Sequence, residues 1–133
     1  MSPPQPTDLG HLEMDILHIL WSAREPMSVR AVQEALGEQR TLAYTTVMTV
    51  LSRLTQRGLL TRSKQGRGFV YQASVAHEEV AQSFLSKMLQ SVFRGGPSAL
   101  VSHLLAGQDV DDEELEAMAR MLEEARRRRG QED

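Results

Sequence analysis

The sequence predicts a mainly α fold with one small β-hairpin. Three observations carry this reading. Apolar residues recur at steps of three and four over most of the chain, the spacing of amphipathic helices. Two short β-prone runs, LLTRSK and GFVYQA, are joined by Gln65-Gly66-Arg67-Gly68, a glycine-containing hairpin signal. After His77 only helical periodicity remains. At 133 residues the chain has room for one domain with an appendage, or for two small domains.

The elements follow in order. Residues 1–8, MSPPQPTD, are proline-rich and read as a disordered tail. Leu9, Leu12, Ile16, Ile19 and Leu20 give one apolar face to a helix over residues 10–21, with Thr7 or Asp8 as its cap and Pro26 as a stop. Ser28 caps a second helix that turns Val29, Val32 and Leu36 inward and closes at Gly37. A polar turn over 38–41 leads to a third helix. There a rotation of about 100° per residue gathers Val47, Val50, Leu51 and Leu54 on one face. Thr45, Thr49, Ser52 and Gln56 fall opposite, with Thr46 and Arg53 on the flank, and Gly58 ends the helix. Three helices and then a basic hairpin describe a winged helix-turn-helix, placed at residues 9–76.

The remainder, 77–129 with a short tail at 130–133, reads as a helical dimerisation domain. Residues 78–94 form a helix whose apolar face, with Phe84, Leu85, Met88, Leu89, Val92 and Phe93, is too wide for cover on one side only. Gly96-Pro97 opens a short helix with Leu100, Val101, Leu104 and Leu105 inward. Residues 111–129 carry Leu115, Met118, Leu122 and Ala125 at helical spacing. The 57 residues from His77 onward cannot readily bury this much apolar surface alone, so self-association is expected.

Charge divides the same way. Residues 1–76 hold eight Lys/Arg and six Asp/Glu, a balance of +2; residues 77–133 hold seven and twelve, a balance of −5. No acid lies between Glu38 and Glu78, whereas Arg40, Arg53, Arg57, Arg62, Lys64 and Arg67 do. That window is the footprint of a polyanion-binding surface.

Threonine is a poor helix former, so a face of Thr45, Thr46 and Thr49 on the third helix calls for a reason. A small hydroxyl residue approaches a base edge closely, its hydroxyl serving donor or acceptor sites and its methyl meeting thymine. Tyr44 and Arg53 would reach sugar and phosphate, which fix register. Lys64 and Arg67 on the hairpin can meet phosphates or a minor groove. The competing readings are a tolerated solvent face for the threonines and edge protection for the hairpin cations, strongest for Arg62.

Other features carry less. His11, Asp15 and His18 share a helical face, and surface or half-buried polar residues explain them better than a metal site. Arg126 to Arg129 end a helix that begins with Asp111, Asp112, Glu113 and Glu114, so both ends complement the helix dipole. Glu116–Arg120, Glu123–Arg127 and Glu124–Arg128 have the favourable i,i+4 order. The chain has no cysteine, which removes disulfides, thiolate metal sites and cysteine nucleophiles. With no phosphate loop and no hydrolase motif either, an enzyme is not expected, nor a cofactor. Lacking a membrane-length apolar run or an amino-terminal signal, the protein is expected to be cytoplasmic.

The series L-x-x-L-E-M-D-I-L-x-I-L-W (9–21), V-R-A-V-x-E-A-L (29–36), A-Y-T-T-V-M-T-V-L-x-R-L (43–54), R-G-L-L (57–60) and K-x-G-R-x-F-x-Y (64–71) resembles the BlaI/MecI penicillinase-repressor family. The resemblance implies a homodimeric bacterial repressor bound to a pseudo-palindromic operator with TACA/TGTA-like half-sites. It places Tyr44, Thr45, Thr46 and Thr49 in or beside the major groove and Arg67 on the wing. Staphylococcal-type members are inactivated when a membrane sensor-protease pathway cuts an Asn-Phe bond in the dimerisation domain. The comparable position here is His103-Leu104, a different dipeptide. Copper-responsive relatives carry a carboxy-terminal cysteine cluster that this chain lacks, which excludes copper sensing by that route. Two alternatives stay open: a MarR-like ligand-sensing regulator, and a winged helix that binds protein instead of DNA.

Overall fold

The computed structural model describes residues 9–132. Helix α1 (His11–Ser22) begins at Gly10, whose amide donates to Glu13 Oε1 at 3.3 Å. The cap therefore falls after Thr7 and Asp8, which lie outside the described residues. Ile16, Leu17 and Leu20 point into the core. Strand β1 (Met27–Ser28) leads into α2 (Val29–Leu36), where Ser28 Oγ accepts the Ala31 amide at 3.1 Å, as an N-cap should. Val29, Val32 and Leu36 are buried as the spacing requires. The polar turn expected over 38–41 is a 3₁₀ turn, Gly37–Arg40. Gln33 Nε2 donates to the Leu42 carbonyl at 2.9 Å, tying α2 to the segment that enters the next helix.

Helix α3 (Tyr44–Gln56) buries Val47, Leu51 and Leu54 completely, while Val50 is half-buried. It ends through Gly58 at φ 83, a left-handed conformation that costs a residue with a Cβ about 1–2 kcal/mol. Gly58→Ala is accordingly expected to cost about 1 kcal/mol net of its effect on the unfolded chain. Thermal denaturation should show a midpoint lower by several degrees.

Strands β2 (Leu60–Gln65) and β3 (Gly68–Ala73) pair antiparallel from Leu60↔Ala73 to Gln65↔Gly68, with Gly66 at φ 63 in the turn. The sequence reading missed β1. It pairs with the other edge of β3, Met27↔Tyr71 and Ser28↔Val70, giving the order β1-β3-β2. Two residues cannot display an alternating pattern, and Ser28 already reads as a cap. The core gathers Ile16, Leu17, Val32, Val47, Leu51, Leu54, Leu59, Leu60 and Tyr71 between the helices and the sheet.

The chain forms two compact units, which divide between Lys87 and Met88. Helix α4 (His77–Ser91) starts on the first unit: Val80 is buried and the His77 ring lies 5.1 Å from Trp21 and 5.8 Å from His18. The Trp21 indole donates to the Val75 carbonyl at 2.8 Å. In the second unit, α5 (Pro97–Ala106) has proline at its start. Helix α6 (Asp112–Glu132) is capped by Asp111 Oδ1, which accepts the Glu114 amide at 2.9 Å. Glu124 lies 3.4 Å from Arg127, an i,i+3 pair in place of the expected partner Arg128.

Candidate nucleic-acid interface

With Val47, Leu51 and Leu54 turned inward, α3 presents Tyr44, Thr45, Thr46, Thr49 and Arg53 to solvent. Thr49 Oγ1 donates to the Thr45 carbonyl at 2.8 Å, so its proton is spent on the helix and its oxygen is left as an acceptor on an exposed side chain. Met48, 40% exposed, shares this side of the helix and was not singled out by the sequence reading. It sits in the same T-T-V-M-T run but looks like a core residue by type.

Lys64 and Arg67 are exposed on the hairpin, Arg67 at its turn. Arg62 lies over the Phe69 ring, its guanidinium carbon 4.1 Å from the centroid. Two other cations of the acid-free window are engaged within the fold. Arg40 Nε donates to Asp15 Oδ2 at 2.6 Å, and Arg57 Nη1 to Glu13 Oε2 at 2.9 Å. A window of sequence cannot register carboxylates that α1 brings in from outside it. Arg40, assigned to DNA from its position, has its charge offset by Asp15, so the exposed cationic surface centres on Arg53, Arg62, Lys64 and Arg67. The Arg40 pair gives Asp15 a partner within the fold, and His18 packs edge-on against Trp21 at 5.2 Å.

The residues assigned to self-association retain much of their exposure. Phe84, Leu89, Leu100 and Met118 are half-buried. Leu85, Met88, Val92, Leu104, Leu115 and Leu122 are exposed, Val92 at 71% and Leu122 at 64%. Neither α5 nor α6 contains a buried residue. His103 and Leu104 lie near the end of α5, the His103 ring 5.2 Å from Phe93. Among the described residues no helix is long and apolar enough to cross a membrane.

Three helices, a small sheet with a cationic ribbon, and an outward threonine face define a winged-helix DNA-binding protein. Residues 9–124 match the penicillinase-repressor family, and the chain belongs to that family of transcriptional repressors, which are not enzymes. It is 38% identical to transcriptional regulator BlaI of Mycobacterium tuberculosis strain H37Rv, over 89% of this chain and 85% of that one. It is 25% identical to the penicillinase repressor of Bacillus licheniformis, over 91% and 94% of the two chains. Among solved structures, the DNA-binding domain of the repressor BlaI superposes with a TM-score of 0.51 at 24% identity. That match covers 59% of this chain and 93% of the other, and bears on the fold.

Proposed function

We propose that the protein represses transcription as a homodimer on a pseudo-palindromic operator, the half-sites being TACA/TGTA-like as the family resemblance implies. The observation that carries this reading is the solvent-facing row Thr45, Thr46 and Thr49 on α3 beside the cations of the wing. In this arrangement α3 enters the major groove. Thr46 offers a hydroxyl and a methyl to base edges. Thr49 offers a methyl and an acceptor only, since its proton is bonded to Thr45. Tyr44, Arg53, Lys64 and Arg67 hold the sugar–phosphate backbone and set register. Arg40 joins them only by leaving Asp15. Two heads are linked through Phe84, Leu85, Met88, Leu89 and Val92 of α4 with the apolar residues of α5 and α6. Release follows when the α5 segment is cut or unpacked, for which a sensor-protease pathway is the family precedent.

Binding titrations separate the roles. Thr46→Ala is expected to reduce discrimination against mismatched operators by about 1–3 kcal/mol. Thr49→Ala acts in the same direction through the lost methyl. Arg67→Ala should weaken operator and random duplex alike and lower the slope of log affinity against log salt. If all three bind both duplexes as the parent does, α3 and the wing are not the reading surface.

A further inference from the structure

The two strands of the wing carry their charge on one face. Cross-strand partners share a face, so the register Leu60↔Ala73, Arg62↔Tyr71 and Lys64↔Phe69 places Arg62 and Lys64 together with Leu60, Tyr71 and Phe69. The other face has Thr61, Ser63, Gln65, Val70 and Gln72, none of them charged. Near the helices the first face is core, with Leu60 and Tyr71 each 2% exposed. Farther along the ribbon it opens to solvent, and there Phe69 is 40% exposed with Arg62 stacked on it. Phe69 is therefore partly covered, Arg62 lying over its ring, yet it stands outside the core cluster, so core packing gives only part of the reason for an aromatic ring there. A guanidinium resting on a ring keeps its edge N–H groups available while much of its side-chain freedom is already lost.

We propose that Phe69 is a positioning residue for Arg62. The ring holds the guanidinium on the cationic face of the wing, where it meets a phosphate of double-stranded DNA. The wing then grips DNA through this face and not through its turn alone. The inference rests on the DNA-binding reading above and adds a contact to it. Charge supports the occupant: Lys64 and Arg62 share the face, and no acidic residue occurs from Gln39 to His77.

Titration of the full-length protein with a random-sequence duplex across a salt series tests it, with melting temperature as the check on folding. Arg62→Ala should lower the salt slope by about one, the signature of a lost phosphate contact. Phe69→Leu should keep the parental slope and bind about two- to five-fold more weakly, the worth of an exposed cation–π contact. Phe69→Tyr should bind as the parent. Placed in the Arg62→Ala background, Phe69→Leu should cost nothing further. Phe69→Met, which keeps apolar bulk without a flat face, serves the same cycle if the leucine variant does not fold. The inference is overturned if Phe69→Leu binds as the parent, or if its cost is unchanged once Arg62 is gone. A parent that binds no duplex at all overturns the repressor reading, and this contact with it.

Discussion

A chain shortened to end at Lys87 is expected to sediment as a monomer, keep a folded head, and bind a full operator at least about 100-fold more weakly than the intact protein. The loss comes from geometry: once the two heads are separate, the second half-site is no longer met at the high local concentration that linkage provides. Lys87 is the place to cut because the division between compact units falls there. A cut at Ala76 would remove His77 from Trp21 and take away the buried Val80 side chain. That shorter fragment should melt lower than the one ending at Lys87, which separates loss of stability from loss of linkage. Sedimentation velocity and titration against full-site and half-site duplexes are the measurements. A Lys87 fragment that stays a tight dimer would place the association surface on the head.

The order and type of the elements were legible because each helix repeats its apolar positions with the right period. The spacing of Val47, Leu51 and Leu54 alone defines the inner face of α3, and the threonines then have nowhere to go but outward. The hairpin was legible from Gly66 and Gly68 between two β-prone runs. What escaped is what tertiary packing decides. Two residues of β1 hold too little pattern to register. The pairing of Arg40 with Asp15 and of Arg57 with Glu13 joins positions far apart in sequence, so a charge count along the chain overstated the cationic surface. Phe69 looked like an ordinary strand residue, and only the register sets it beside Arg62 and Lys64.

Leu104→Asp is expected to convert the protein to monomers that keep an intact head and bind the operator about 10²- to 10⁴-fold more weakly. Leu104 is 43% exposed near the end of α5, and no residue of that helix is buried within its own chain. A carboxylate there costs the isolated chain little. In an association surface built from Leu100, Leu104, Leu115, Met118 and Leu122 it would have to lose its water without gaining a partner, which costs several kcal/mol. The substitution thus imitates what proteolysis at His103-Leu104 would do, since a protease must first open this helix to reach an extended backbone. A helix of 10 residues is marginal without its packing, so that opening is inexpensive once the surface is uncovered. Ser102→Asp, on the same helix but outside the leucine row, is the control and should stay dimeric with parental affinity. Sedimentation alongside operator binding gives the answer. A Leu104→Asp protein that remains dimeric yet lets go of the operator would show that release is exerted on the head, and the tail-opening mechanism would fall.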